Sequence, residues 1–441
     1  MSVKLDQDLR GVGTKFRLFP QPPFLEPFGE PETVWVSPLA GTVGSGPADE
    51  RMYVVDPIHK DKPYEFPYMP PYDLAVHPAV PPDALGHFDY LEPDSRAFKV
   101  AHMYGTIRRV LDIWEGYRSG RIDWHFREEF ERMELIPLLD WDNAQSGYGF
   151  IEAGHVVTED GDDVQFSLNF DVLAHELGHS IIFSQVGFPG EGTDTVEFLG
   201  FHESASDLIA LISVLHFDSV VDHLLQVSRG NLYTLNELNR IGELSETEQI
   251  RIASNLSKMS DFLDGWTNVH DVAQPLTGGI FDIFVDVFEL LLLERGLISE
   301  RMWSLAEKVP EEPVDENEIQ WLFDQAYQGR HQAFKDALLD ARDYMGELFA
   351  TSWQHLSPND LTFARVGDAL LTADRQLTGG RYQDSIFENI VWREIGSVPL
   401  GPEMETSATD PQLHAIRGVT ALSIVPGLSY RHRMEVACRG V

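Results

Sequence analysis

Residues 171–207, DVLAHELGHSIIFSQVGFPGEGTDTVEFLGFHESASD, constrain this chain more than any other stretch. The run opens with His175-Glu176-Leu177-Gly178-His179, an HExxH pattern set among apolar residues of helical spacing (Val172, Leu173, Leu177, Ile181, Ile182). Residues i and i+4 share one helix face, so both imidazoles reach a single ion. Glu176 stands one step round the helix, placed to act on a water at the metal rather than to bind it. Burying two histidines and a glutamate without partners is costly, which weighs against an inert pair. Catalytic zinc takes three protein ligands and keeps one position open. His202-Glu203-Ser204-Ala205-Ser206-Asp207, at the start of a second predicted helix, offers the third. Glu203 and Asp207 are again four apart, so one can bind the ion while the other orients a ligand histidine.

On these residues the chain resembles the thermolysin-like zinc metallopeptidases, the gluzincins, which carry HExxH on one helix and Glu-x-x-x-Asp on the next. The metzincin pattern HExxHxxGxxH is not met, because Ile182 and Gln185 stand three and six residues after His179. The GxMEN sequence of the aminopeptidase branch is also missing. The resemblance implies His175, His179 and Glu203 as ligands of one catalytic Zn2+, and Glu176 as general base. It implies Asp207 as the partner that fixes a ligand histidine's tautomer, that of His175. It further implies a histidine that stabilises the tetrahedral intermediate, shortly before a glycine that opens a core helix. The text NVHDVAQPLTGGIFDIF nominates His270, with Asp271 or Asp264 to orient it. Asn143-Ala144 resembles the family's edge strand, whose main chain pairs with an extended peptide substrate; an ordinary turn is the alternative. The resemblance spans about residues 98–396 and includes the helix AHMYGTIRRVLDIWE, where His102 and Tyr104 read as structural.

Departures from the family pattern are specific. Residues 183–200 contain no tyrosine to serve as the second oxyanion donor, and His202 stands where the family usually has asparagine. Asp171 fits one position of the family's acidic calcium pair but Val214 fills the other, so calcium is not predicted at the usual double site. The arginine of the side-chain pocket has two candidates, Arg240 and Arg251.

Composition bounds the partners. The chain has 71 acidic against 33 basic residues, a net charge of −38. That argues against nucleic acid and anionic membrane. Lysine is scarce, and with the acidic excess this suggests a high-salt or otherwise unusual cytosol; a strongly acidic soluble enzyme fits nearly as well. The lone Cys438 permits no intramolecular disulfide. No run approaches the ~18 apolar residues of a membrane span. The first twenty residues lack a signal-peptide hydrophobic region, which favours a cytoplasmic location and leaves secretion by another route open.

Along the chain, residues 1–97 hold 16 of the 26 prolines, interleaved with aromatics. This predicts short strands and turns packed on something rather than long helices. Whether the segment belongs to a first lobe or forms a separate wrap stays open. Helices are expected over residues 96–117, up to 184, 202–217, 219–227, 279–295, 316–328, 331–349 and 382–395. Residues 135–157 read as strands with turns at Asp142-Asn143 and Ser146-Gly147, and residues 228–278 as largely polar connection.

The expectation is therefore an α+β, two-lobed thermolysin-like fold, with a β-containing N-terminal lobe, a mainly helical C-terminal lobe and the zinc site between them. Its parts are a Pro-rich segment over residues 1–97, an N-terminal catalytic lobe over 98–184, a helical lobe over 185–400 and an unassigned extension over 401–441. The expected function is zinc-dependent hydrolysis of internal bonds in a peptide or protein substrate, in an oligomeric state the sequence leaves open. The alternatives are a non-catalytic peptide-binding protein on the same fold, or a narrowly specific peptide-trimming amidohydrolase.

Overall fold

The structure is a computed structural model that describes residues 9–65, 67–157, 163–233, 240–243, 249–306 and 316–404. The C-terminal extension lies outside the described residues from 405 onward. The architecture is α+β. Strands β1 (Gly13–Leu18) and β2 (Glu32–Leu39) pair antiparallel. Phe16, Leu18, Val34 and Val36 alternate inward from them, as period-2 patterning requires. They pack on α1 (Arg96–Arg118), which Ser95 caps by accepting from the Phe98 N–H. Gly105 permits the approach, since a Cβ there would lie 2.8 Å from Leu18 Cδ2.

The central sheet has the order β3-β4-β6-β5, with β3 (Met52–Val54), β4 (Met133–Ile136), β5 (Ala144–Gly147) and β6 (Phe150–Ala153). β3, β4 and β6 run parallel, and β5 returns antiparallel to β6 as the edge. The hairpin turn lies at Tyr148-Gly149, where Gly149 takes φ +92°, so Ser146 belongs to the strand and not to the expected turn. Small strands β7 (His155–Val157) and β8 (Asp163–Gln165) follow.

The two sheet faces differ. Met133, Leu135, Ile151 and Ala153 face the main core. On the other face Ile136 and Phe150 form a second small core with Tyr64 and Tyr72 of the Pro-rich segment. Two buried carboxylates share that face. Glu134 accepts from the hydroxyls of Tyr53 and Tyr64, and Glu152 accepts from the Tyr64 N–H and the Gln145 amide. Lys60 Nζ lies 2.8 Å from Glu152 Oε1 and 3.8 Å from the centroid of the Tyr64 ring. The N-terminal residues thus add β3 to the sheet and also cover its outer face.

The helical part begins with α2 (Phe170–Gln185), capped by Asn169, and α3 (Val196–Val214), capped by Thr195. The Thr195 cap starts α3 six residues earlier than expected. α4 (Asp218–Ser228) follows, then β9 (Arg240–Glu243) and β10 (Gln249–Ile252). These form an antiparallel pair where the sequence reads as polar connection, and β9 runs against α2. α5 (Val269–Glu294) begins ten residues before the expected core helix, because Asn268 caps it and Pro275 is tolerated inside. α6 (Glu300–Ala306), α7 (Glu316–Tyr327), α8 (His331–Ser352), α9 (Phe363–Thr378) and α10 (Gln383–Trp392) complete the fold. The buried Arg393 guanidinium binds Asp282 of α5 and the carbonyls of Asn255 and Ser257. Gly278 leaves it room, since a Cβ there would lie 2.7 Å from both terminal nitrogens. Among the described residues no single helix is long and apolar enough to cross a membrane.

Two expectations about stability follow from the buried polar groups. Replacing Lys60 by Met strands the Glu152 carboxylate, and urea unfolding at neutral pH should show a loss of about 3–5 kcal/mol. Lys60→Met/Glu152→Gln should recover part of it. His102 on α1 is completely buried, and its Nε2 accepts from the Phe19 N–H while Nδ1 donates to the Ser167 carbonyl. Burial, only partly opposed by those two bonds, pushes its pKa down from 6.5 to about 4. The unfolded chain therefore takes up this proton first as pH falls. Stability present above pH 6.5 is lost on the way down to about pH 4, by about 3 kcal/mol from this group. Unfolding midpoints across that window should fall less steeply in His102→Gln than in the wild type.

Candidate metal centre

Helix α2 is buried on nearly all sides, with Leu173, Leu177, Ile181 and Ile182 fully enclosed. His175 and His179 project from one face of it, ring centroids 4.8 Å apart and planes perpendicular. Their Nε2 atoms are 3.1 Å apart. Glu203 of α3 brings Oε2 to 3.4 Å from His175 Nε2 and Oε1 to 3.9 Å from His179 Nε2. One ligand atom from each of the three residues falls within 4.8 Å of the others.

This donor set fits zinc. Atoms held about 2.0–2.1 Å from a tetrahedral ion stand about 3.3 Å from one another, close to the spacings observed. His175 Nδ1 lies 2.8 Å from Asp207 Oδ1, so Nδ1 carries the proton and Nε2 presents a lone pair. Lone pairs converging on a carboxylate call for positive charge between them. One divalent cation satisfies all three groups, whereas a proton satisfies one pair.

Burial alone would push the Glu203 carboxyl up. The facing His270 and His179, with hydrogen bonds from His175 and His270, instead hold it well below the usual carboxylate range. Glu176 is 0 % exposed, one residue along α2 from His175. His270 lies in the first turn of α5 rather than in a loop, and its Nδ1 is 2.9 Å from Glu203 Oε2. The carboxylate at His270 is thus a predicted ligand. Of the two expected orienting residues, Asp271 accepts from the Gln274 amide and Asp264 is exposed.

Asn143 precedes β5 and its side chain accepts from the Ala144 N–H. The Gly154 N–H donates to the Asn143 carbonyl, and since bonding alternates along an antiparallel pair, the main-chain groups of Ala144 and Ser146 point away from β6. Ser146 Oγ lies 2.9 Å from Ser180 Oγ, fastening this edge strand to α2 one residue beyond His179. Asp171 is buried in the first turn of α2, and Val214 ends α3 as a buried apolar residue. Arg240 and Arg251 lie on β9 and β10.

Three residues gain a place that their types alone did not announce. His202 is fully buried, its ring 5.9 Å from His179 and nearly parallel, 4.1 Å from Phe183 and 4.8 Å from Phe198. Burial first, then the neighbouring His179, hold it well below the ordinary imidazole pKa, so it serves as a neutral wedge behind the site. Gly178 sets the closeness of α2 and α3, because a Cβ there would lie 2.8 Å from Ser206 Cα. Ser206 Oγ in turn lies 3.2 Å from His179 Nδ1. The only sequence signal for Ser206 is its position three after Glu203, on the face that also carries Asp207.

No protein-family model and no curated protein matches the chain. Among solved structures it is similar to the precursor of protealysin, a metalloproteinase from Serratia proteamaculans. The TM-score is 0.46 and the identity 12%, over 81% of this chain and 90% of that chain.

The helix contact yields a direct test. Gly178→Ala forces α2 and α3 apart and should destabilise the protein by about 1–3 kcal/mol, measured by chemical unfolding. Zinc affinity should fall with it, since Glu203 and the histidines sit on opposite sides of that contact.

Proposed function

We propose that the protein is a zinc-dependent peptidase that hydrolyses internal peptide bonds. The observation that carries this reading is the convergence of His175, His179 and Glu203 to zinc-ligand spacing, with Glu176 next along the same helix. Zinc, when bound there, supplies a Lewis acid that polarises a peptide carbonyl and acidifies water. Glu176 accepts the proton of the attacking water and returns it to the leaving amine. Its complete burial keeps competing solvent away, so its charge acts through a low dielectric. His270 donates to the oxygen on which negative charge develops, and its bond to Glu203 fixes the imidazole for that task. The substrate main chain pairs with the Ala144 carbonyl and with Ser146 along the edge of β5, the Ala144 N–H being held by Asn143 Oδ1. Such pairing uses only backbone groups of the peptide, so side-chain preference is set elsewhere in the cleft.

Cleavage of a mixed peptide library, read by mass spectrometry, tests this reading. Wild-type protein should make internal cuts that chelation abolishes. Glu176→Gln should retain zinc and lose cleavage by about 10²–10⁴-fold. A zinc-loaded wild type that leaves the library intact would overturn the endopeptidase reading.

A further inference from the structure

The two ligand histidines are held differently. Glu203, Ser206 and Asp207 lie at i, i+3 and i+4 on α3, a spacing that puts all three on the face turned to α2. Asp207 takes His175 Nδ1 at 2.8 Å. The matching atom of His179 meets the hydroxyl of Ser206 at 3.2 Å. That hydroxyl cannot wander: Ser206 is 0 % exposed, and a Cβ on Gly178 would stand 2.9 Å from its Oγ. The approach of the helices therefore confines the oxygen beside the His179 ring.

We infer that Ser206 is the positioning residue of His179. It accepts the Nδ1–H and so fixes the tautomer in which Nε2 is the electron-pair donor toward the metal. The inference rests on reading this site as a metal centre. It makes α3 the source of one ligand, Glu203, and of one orienting acceptor for each histidine of α2. The acceptors differ in charge. The Asp207 carboxylate makes His175 the more strongly donating ligand, while the neutral Ser206 fixes His179 in direction with little added basicity.

The test compares wild type, Ser206→Ala and Ser206→Cys. Cysteine keeps the shape while offering a much weaker acceptor, which separates packing from hydrogen bonding. Zinc affinity by chelator competition is expected to fall about 10-fold or more in both variants. The visible spectrum of the cobalt-substituted protein should change in both, and nitrogen-15 shifts of labelled metal-free protein should show His179 losing its single Nδ1–H tautomer. Unchanged affinity, cobalt spectrum and tautomer in Ser206→Ala, beside a tightly binding wild type, would overturn the role of Ser206 alone. Affinity lost in Ser206→Ala but fully kept in Ser206→Cys would also overturn it, in favour of packing. A folded wild type that takes up no zinc would overturn the metal-centre reading and this assignment with it.

Discussion

The close contact of α2 with α3 governs the rest of the site. Gly178 has no side chain to hold the helices apart, and Ser206 fills the space so gained. At this separation Glu203 stands 3.4 Å from His175 Nε2 and 3.9 Å from His179 Nε2. The same contact delivers Asp207 and Ser206 to the far nitrogens of the two rings. Five polar groups, His175, His179, Glu203, Ser206 and Asp207, are buried together there at a cost that their mutual pairing must offset. A second contact closes the site from α5, where capping by Asn268 starts the helix early enough to set His270 on Glu203.

The remainder of the fold holds that helix pair against an edge strand. Ser146 and Ser180 join β5 to α2, and the other face of the sheet is sealed by the Pro-rich segment through Lys60, Tyr64 and Tyr72. Gln145 links the two layers: it lies on β5 and donates to Glu152 and to the Tyr64 carbonyl on the covered face. In a chain of net charge −38 this scarce lysine is kept wholly inside, between carboxylate and aromatic rings. Its stem and charge thus anchor the segment that braces the edge strand.

Legibility in the sequence followed the range of the interactions. The i, i+4 pairs His175/His179 and Glu203/Asp207 could be read because helical geometry fixes their faces locally, and the structure brings these four residues together. The α+β class was legible chiefly through the resemblance carried by the HExxH and Glu-x-x-x-Asp residues, with the proline-rich start and the periodic apolar runs consistent with it. The extents of α3 and α5 were less so, because Thr195 and Asn268 act as caps only once the following residues turn helical. Pro275 and Gly278-Gly279 look like helix breakers in text, yet the glycines make room for Arg393, more than a hundred residues away. The β9–β10 pair consists of two four-residue strands, RIGE and QIRI, whose polar–apolar alternation is too short to stand out from the polar stretch around it. Ser206 and Gly178 owe their roles to a contact between helices, which no single-helix pattern encodes.

The proposed function depends on one zinc ion being shared by the imidazoles of His175 and His179 and the carboxylate of Glu203. X-ray absorption at the zinc edge tests it most directly, on wild type and on His179→Ala loaded with one equivalent of metal. The expected result is a four-coordinate shell at about 2.0–2.2 Å with the multiple-scattering signature of two imidazoles, reduced to one in the variant. An oxygen-only, six-coordinate shell, or an unchanged imidazole signature in His179→Ala, would contradict it.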